Sequence, residues 1–125
     1  MLRSDNPIAA EAPSTLIRIS KVGVRTILAP SVPLSIKNVK EMTAVILDCI
    51  QRPNSEIILD CKSAKFMDSA GLELLLQVHN DLKNNGGKLK VIGLNETCRD
   101  ILYATRLINV FNIFNDIHDA IRHKP

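Results

Sequence analysis

The segment Phe66-Met67-Asp68-Ser69-Ala70-Gly71 joins a predicted buried strand to a predicted helix, and the rest of the chain can be placed around it. The strand is the apolar run Glu56–Asp60, and the helix runs from Gly71 through Asn84. Asp and Ser are typical of helix N-termini, because their side-chain oxygens accept the first free backbone N–H groups. Open α/β sheets place their ligands beyond the carboxyl ends of strands, where this segment lies. A hydroxyl there lies beside free N–H donors, a setting that tolerates a phosphate, so Ser69 is the first candidate for chemistry.

The composition is typical of one soluble globular domain. The chain has 125 residues, of which 46% are hydrophobic and 23% charged, enough for a single core. Aromatic residues make up only 3% and Trp is absent, which disfavours a base-stacking nucleic-acid surface. Three cysteines without paired metal-ligand spacing predict reduced thiols in a cytoplasmic protein and no metal site. No apolar run has membrane-spanning length and the N-terminus does not resemble a secretory signal, so we expect no membrane insertion.

Hydrophobic periodicity predicts alternating strands and helices after a flexible N-terminal tail, residues 1–14. The first two strands cover Leu16 to Ile19 and Val22 to Leu28, with a turn near Lys21 to Gly23. Ser35 is the expected N-cap of the first helix, whose apolar stripe comprises Ile36, Val39, Thr43, Ile46 and Ile50.

After the helix that follows Ser69, the Asn84-Asn85-Gly86-Gly87 stretch predicts a stop, because Asn and Gly accept the left-handed conformation that closes helices. We then expect a strand from Lys88 to Leu94 and a third helix capped by Asn95 or Thr97. The inward residues of that helix are predicted to be Cys98, Ile101, Leu102 and Thr105. A short strand near Val110 to Ile113 and a helix from Asp116, which buries Ile117, Ala120 and Ile121, complete the order.

This order predicts an α/β fold in one domain, residues 15–125. We expect a mixed β-sheet of about four to five strands packed with about four helices through right-handed crossovers. The residues that could carry other chemistry have simpler interpretations. His79 is predicted at the edge of the core and His118 and His123 in solvent. Lys83, Lys88 and Lys90 are expected to form a solvated face.

The stretch from Asp60 to Gly71, followed by Leu72 and closed by Gly86-Gly87, resembles the signature of STAS domains. Within that group it is similar to the bacterial anti-sigma factor antagonists, in which the serine after the Asp is phosphorylated. The resemblance implies phosphorylation of Ser69 by a partner that is both an anti-sigma factor and a serine kinase, with a PP2C-type phosphatase restoring the free form. It also implies partner contacts by Met67, Asp68, Ala70, Gly71 and Glu73, and no cofactor.

The chain departs from this family at two places. The family commonly has a Gly-x-Leu-Asp turn after its second strand, where this chain has Pro30-Ser31-Val32-Pro33 without an acidic residue. It also often has Gly near the end of its third helix, where this chain has Arg106.

Two interpretations of the central segment stay open at the level of sequence. Ser69 either only caps the helix or is also a phosphate acceptor, and Asp68 is either the cap itself or a residue that orients a kinase. No phosphate-binding loop or acid/base cluster is evident, so we expect a protein that is not an enzyme. The alternative function is a STAS adaptor subunit of a lipid-transport or other membrane-associated complex, which need not be phosphorylated.

Overall fold

The computed structural model describes residues 16–122, and within this range one five-stranded sheet is packed with four helices. The strands are β1 (Ile17–Val22), β2 (Arg25–Pro30), β3 (Glu56–Asp60), β4 (Lys88–Ile92) and β5 (Asn112–Phe114). The helices are α1 (Val39–Cys49), α2 (Ser69–Asn84), α3 (Glu96–Ala104) and α4 (Ile117–Arg122). The predicted mixed α/β architecture is confirmed.

The strands lie side by side in chain order, β1-β2-β3-β4-β5, with β1 and β2 antiparallel and the remaining neighbours parallel. Successive right-handed crossovers that all step in one direction place their helices on one face of the sheet. Accordingly, α1, α2 and α3 share the larger apolar core with one set of strand side chains, such as Ile57 and Leu59. Ile58, which points the other way, packs with α4 on the opposite face.

Lys90 holds α4 against this second face, and its burial contradicts the predicted solvated lysine cluster. Its side chain lies on the α4 face of β4, and the residue is only 2% exposed. The Nζ atom donates to the Ala120 carbonyl at 2.7 Å and lies 3.1 Å from Glu56 Oε2, which also accepts from Arg25 Nε at 2.9 Å. The prediction was wrong because strand alternation turns Lys90 away from solvent once a helix covers that face.

The carboxylate of Glu56 is stabilised in its charged form by these two cations. Burial raises the pKa of Glu56, but hydrogen bonds from Lys90 and Arg25 outweigh this effect, so the pKa lies below its usual value. The carbonyl of Ala120 belongs to the last turn of α4, where a cation also complements the helix dipole. The network therefore fixes the position of a helix that has only six residues.

The first helix begins later than predicted. It starts at Val39, and its N-cap Asn38 forms no side-chain capping hydrogen bond. Ser35 instead lies in a preceding turn, in which its carbonyl accepts from the N–H groups of Asn38 and Val39 at 2.8 and 2.9 Å. Ile36 is 72% exposed and is not part of the apolar stripe. Hydrophobic periodicity placed Ile36 in the stripe of α1. In the structure Ile36 precedes the helix, and its backbone is hydrogen-bonded to a distant segment that is described below.

Two strands are displaced from their predicted positions. The hairpin turn lies at Gly23 and Val24, so Val22 belongs to β1, and Gly23 supplies the left-handed φ of +64° at the turn. The strand predicted near Val110 to Ile113 is β5, and it begins at Asn112.

The end of α3 also differs from the prediction. Thr105, expected to face inward, is exposed at the C-cap of α3. The next residue, Arg106, takes a left-handed φ of 64°, the position where the resembling family often has Gly.

The strand predicted from Lys88 to Leu94 ends at Ile92. Several other local predictions agree with the structure. His79 lies at the edge of the core, with its ring against Phe111 in an edge-to-face arrangement at 5.6 Å. Asn95, one of the two proposed caps, accepts from Cys98 N, and α2 stops before Gly86. All three cysteines are free thiols. His118 is exposed, whereas His123 and the predicted tail, residues 1–14, lie outside the described residues.

Candidate functional site

The site is the segment that leads from β3 into α2, and buried side chains hold its backbone in place. Cys61, Ala64 and Met67 are each no more than 1% exposed and form part of the main core. The neighbouring loop after β4 supports it from one side, because Asn95 Nδ2 donates to the Lys65 carbonyl at 3.0 Å. The segment therefore has little freedom to change its path.

A second extended stretch, which includes Leu34, runs beside the segment. Leu34 and Met67 form a parallel β-bridge, with Leu34 N donating to Phe66 O at 3.0 Å and Asp68 N donating to Leu34 O at 3.1 Å. The side chains of Leu34 and Met67 are both buried. Because neighbours in extended backbone point to opposite sides, Phe66 and Asp68 are directed outward on either side of Met67.

Asp68 is the N-cap of α2 and also a clamp between the two stretches. Its Oδ1 atom accepts from Gly71 N at 3.1 Å, while Oδ2 accepts from Ile36 N at 2.9 Å. Hydrogen bonds from the N–H groups of Ile36 and then Gly71 hold the pKa of Asp68 below its usual value. The ionised carboxylate therefore organises both the helix start and the approach to α1, which settles the choice left open between capping residues.

Gly71 is required because the backbone of Leu34 crosses the first turn of α2. A Cβ atom at position 71 would lie 1.9 Å from the Leu34 carbonyl oxygen and 2.8 Å from its carbonyl carbon. Real Cβ atoms do not approach backbone so closely, so any other residue would push the two stretches apart. The glycine in the motif thus serves close packing.

Ser69 is the first residue of α2 and is exposed. Its hydroxyl makes no hydrogen bond within residues 16–122, so it is not the helix cap. The free hydroxyl lies beside the N-terminus of a 16-residue helix, where the dipole favours negative charge. An acceptor of a phosphoryl group needs this accessibility, whereas a cap does not.

The predicted contact residues divide into two groups. Glu73 is exposed, and Asp68 and Ala70 are half-buried, so these three contribute to the surface around Ser69. Met67 and Gly71 are buried, and they shape the segment from below.

Two apolar residues near Ser69 were not identified from the sequence as surface residues. Phe66 is 47% exposed and Ile36 is 72% exposed. No local signal reveals Ile36, because its place beside Asp68 depends on a hydrogen bond between residues 32 positions apart.

Within residues 16–122, His, Cys, Asp and Glu do not form a group of three that could hold a metal ion. None of the helices in the described range is long and apolar enough to cross a membrane. What the arrangement offers is a rigid surface with one exposed hydroxyl at its centre.

A family model described as STAS domain matches residues 16–120. The chain belongs to the STAS domain family. The matched range covers all five strands and includes the segment with Asp68, Ser69 and Gly71.

Solved STAS structures share this fold at low sequence identity. An inferred anti-sigma factor antagonist of Thermotoga maritima, TM1081, has a TM-score of 0.76 and 20% identity, over 86% of this chain and 92% of that chain. The anti-sigma factor antagonist SpoIIAA in its unphosphorylated form has a TM-score of 0.71 and 21% identity, over 84% and 92% of the two chains.

A curated relative belongs to a different kind of protein. YvdB of Bacillus subtilis strain 168, an inferred sulfate transporter, is 26% identical over 91 residues, which is 71% of this chain. The aligned region spans only 17% of that relative. This chain is therefore similar both to solved chains of about its own length and to a small part of a much longer protein.

Proposed function

We propose that this STAS domain is an anti-sigma factor antagonist in a partner-switching pathway. In its unphosphorylated form it binds an anti-sigma factor that is also a serine kinase, and phosphorylation of Ser69 releases it. The observation that carries the proposal is the exposed Ser69 hydroxyl, which has no structural hydrogen bond in the described residues and stands on a surface fixed by Asp68 and Gly71.

The geometry supports a switch that acts on the complex and leaves the fold intact. Phosphorylation adds about −1.5 to −2 charges and three strong acceptor oxygens. At the first position of α2, the helix dipole stabilises that charge within the free protein. A partner surface that fits a small neutral serine would instead meet added bulk and a desolvation penalty.

The partner surface is proposed to centre on Asp68, Ser69, Ala70 and Glu73. Met67 and Gly71 act beneath it by holding the segment in shape. The chain is proposed to act in the cytoplasm without cofactor, direct nucleic-acid binding or membrane insertion. A PP2C-type phosphatase would regenerate the binding form. Since the kinase belongs to the partner, the chain itself is proposed to have no ATP hydrolysis activity.

The first test is to establish whether Ser69 is phosphorylated. The chain is isolated from its own cells, and its phosphorylation sites are mapped by mass spectrometry before and after phosphatase treatment. Each serine kinase of the anti-sigma factor class from the same genome is then purified and incubated with the chain and ATP. We expect phosphate on Ser69 and none on Ser63, an exposed serine six residues earlier. Phosphate confined to another residue contradicts the proposal.

The second test measures binding of the kinase identified in this way. Ser69→Ala is expected to bind like the parent, because a methyl group adds neither bulk nor charge. Ser69→Glu and the phosphorylated protein are expected to bind at least about tenfold more weakly, which corresponds to ~1.4 kcal/mol. Ser63→Glu is the matched control for added charge and is expected to bind normally. Equal affinity of the phosphorylated and unphosphorylated forms rejects the switch.

A second candidate function follows from the similarity to YvdB, of which this chain covers a small part. In that case the STAS domain is an adaptor of a membrane transporter or lipid-transport complex and need not be phosphorylated. Co-purification from detergent-solubilised membranes with a transporter subunit, together with unmodified Ser69 in cells, would favour this function over partner switching.

A further inference from the structure

The face of the sheet that carries α4 is only partly covered, and this leaves a groove. The short α4 packs chiefly on β4 and β5, so the side chains of β1 on that face are exposed beside it. On β2, Ala29 is half-buried and Ile27 is buried. The groove has a volume of about 330 Å³, which is within the range of small-molecule sites. Its floor is apolar and consists of Ile27, Ala29, Ile92 and Ile117.

The groove lies at the edge of the sheet where open α/β folds bind ligands. Ala29 is next to the last residue of β2, Asp60 ends β3 and Ile92 ends β4, and these three strands are parallel. The carboxyl ends of parallel strands are the usual ligand-binding edge. Gly93, with a left-handed φ of 74°, turns the chain away at this point and also lines the groove.

The rim of the groove has two cations, Arg18 and Lys62, and two carboxylates, Asp60 and Asp116. Arg18 and Lys62 both line it and are exposed, and neither side chain has a salt-bridge or hydrogen-bond partner within residues 16–122. The acidic residues of the rim are partly engaged by backbone N–H groups. Asp60 Oδ1 accepts from Lys62 N at 3.0 Å, and Asp116 Oδ1 accepts from Asp119 N at 2.9 Å.

We propose that this groove binds a small amphiphilic carboxylate of the medium-chain fatty acid class. Its alkyl chain would lie on the apolar floor, and its carboxylate would pair with Arg18 and Lys62. A single negative charge suits the rim better than a phosphate dianion, because Asp60 and Asp116 lie on the same rim. The proposal is independent of Ser69 phosphorylation, since it concerns the opposite face of the sheet from α2.

The direct test is titration of the full-length protein with octanoate, observed by NMR of isotope-labelled isoleucine methyl groups. Saturable shifts are expected for Ile27, Ile92 and Ile117, with a dissociation constant of about 1 mM or lower. Ile57, which is buried on the other face, is the internal control. From butyrate to hexanoate to octanoate, each added methylene that becomes buried should strengthen binding about fourfold, equivalent to ~0.8 kcal/mol.

Variants test each part of the groove. Arg18→Gln and Lys62→Gln are each expected to weaken octanoate binding about twofold to fivefold, the range for an exposed ion pair. Arg52→Gln, at an exposed arginine outside the groove, is the matched control and should bind octanoate like the parent. Ala29→Leu fills the floor and is expected to abolish binding while the fold is retained.

Ligands of other charge decide the chemical class. Octylamine and octanol are expected to bind at least about threefold more weakly than octanoate, and inorganic phosphate should leave the three methyl signals unshifted. Octylamine or octanol binding as tightly as octanoate would overturn the assignment of an anionic ligand. No saturable methyl shift with octanoate, or undiminished octanoate binding by both Arg18→Gln and Lys62→Gln, would overturn the site itself.

Discussion

Replacing Gly71 with alanine has two opposing effects on stability, a gain in helix propensity and a steric clash with the backbone of Leu34. Alanine is favoured over glycine in a helix interior by about 1 kcal/mol, so propensity alone predicts a more stable protein. The new Cβ atom, however, would lie 1.9 Å from the Leu34 carbonyl oxygen. The nearest obstacles include backbone atoms, which cannot rotate away as a side chain would.

The expected result is a net loss of stability. Added methyl groups in well-packed sites cost ~1–3 kcal/mol, and a backbone obstacle places Gly71→Ala at the upper end of that range. After subtraction of the gain in helix propensity, we expect the free energy of unfolding to fall by about 2 kcal/mol. The stretch that contains Leu34 and Ile36 would move away from α2 and weaken the hydrogen bond between Ile36 N and Asp68.

Urea denaturation measures the change, and the amide NMR signal of Ile36 reports the local displacement. The control is Gly23→Ala, where φ is +64° but no atom lies within 4 Å of the new Cβ. It should lose ~1 kcal/mol through backbone conformation alone and leave the Ile36 signal unchanged. A Gly71→Ala variant as stable as the parent, with an unshifted Ile36 amide, would refute the close approach of the two stretches.

Three further predictions concern the core, the cap and the buried cation. Leu75→Ala should lower the free energy of unfolding by ~2–5 kcal/mol, because Leu75 is 2% exposed. Leu76→Ala should lower it by less, because Leu76 is half-buried. Equal losses of the two variants in urea melts would contradict the assigned helix face. The pKa of Asp68 is lower in the folded protein than in the unfolded chain, so its contribution to stability is complete above about pH 4 and is lost as the pH falls through the folded pKa. In the Asp68→Asn variant, the free energy of unfolding should therefore fall less steeply at acid pH than in the parent. An unchanged pH dependence would argue against the clamp formed by Asp68. Lys90→Met should destabilise the protein by about 3 kcal/mol, the low end of the range for breaking a buried pair, because Glu56 keeps Arg25. The double variant Lys90→Met, Glu56→Gln should regain part of the stability that Lys90→Met loses, as measured by calorimetry. If no stability is regained, the broken ion pair is not the cause of the loss.

Local chemistry was sufficient to predict most elements and the position of the site. The apolar run Glu56–Asp60 is a strand with the predicted bounds, because three consecutive Ile and Leu residues suit a strand covered on both faces. The Asn and Gly residues after Asn84 stop α2 as expected, because they accept the conformations that close helices. The Asp-Ser pair marked the start of α2 within two residues.

Only the tertiary structure decided how the residues of the site share their roles. Sequence could not choose between Asp68 and Ser69 as the cap, since both residue types cap helices. In the structure Asp68 Oδ1 accepts from Gly71 N, and Oδ2 accepts from the N–H group of Ile36, 32 residues away. The requirement for Gly71 likewise exists only because the Leu34 backbone crosses α2. Periodicity describes one element at a time, and it cannot report which distant backbone lies against it.

The same reason explains the second face of the sheet. A lysine in a strand indicates a solvated position unless a helix from elsewhere covers it, and α4 covers Lys90 from 30 residues further along the chain. The groove beside α4 also arises from helix length and strand order together, neither of which is visible in a local pattern. The sequence by itself therefore determined the elements and the exposed-serine motif, because those depend on neighbours in the chain. The tertiary structure alone decided the clamp, the buried cation and the groove, because each is made by backbone and side chains that meet only after folding.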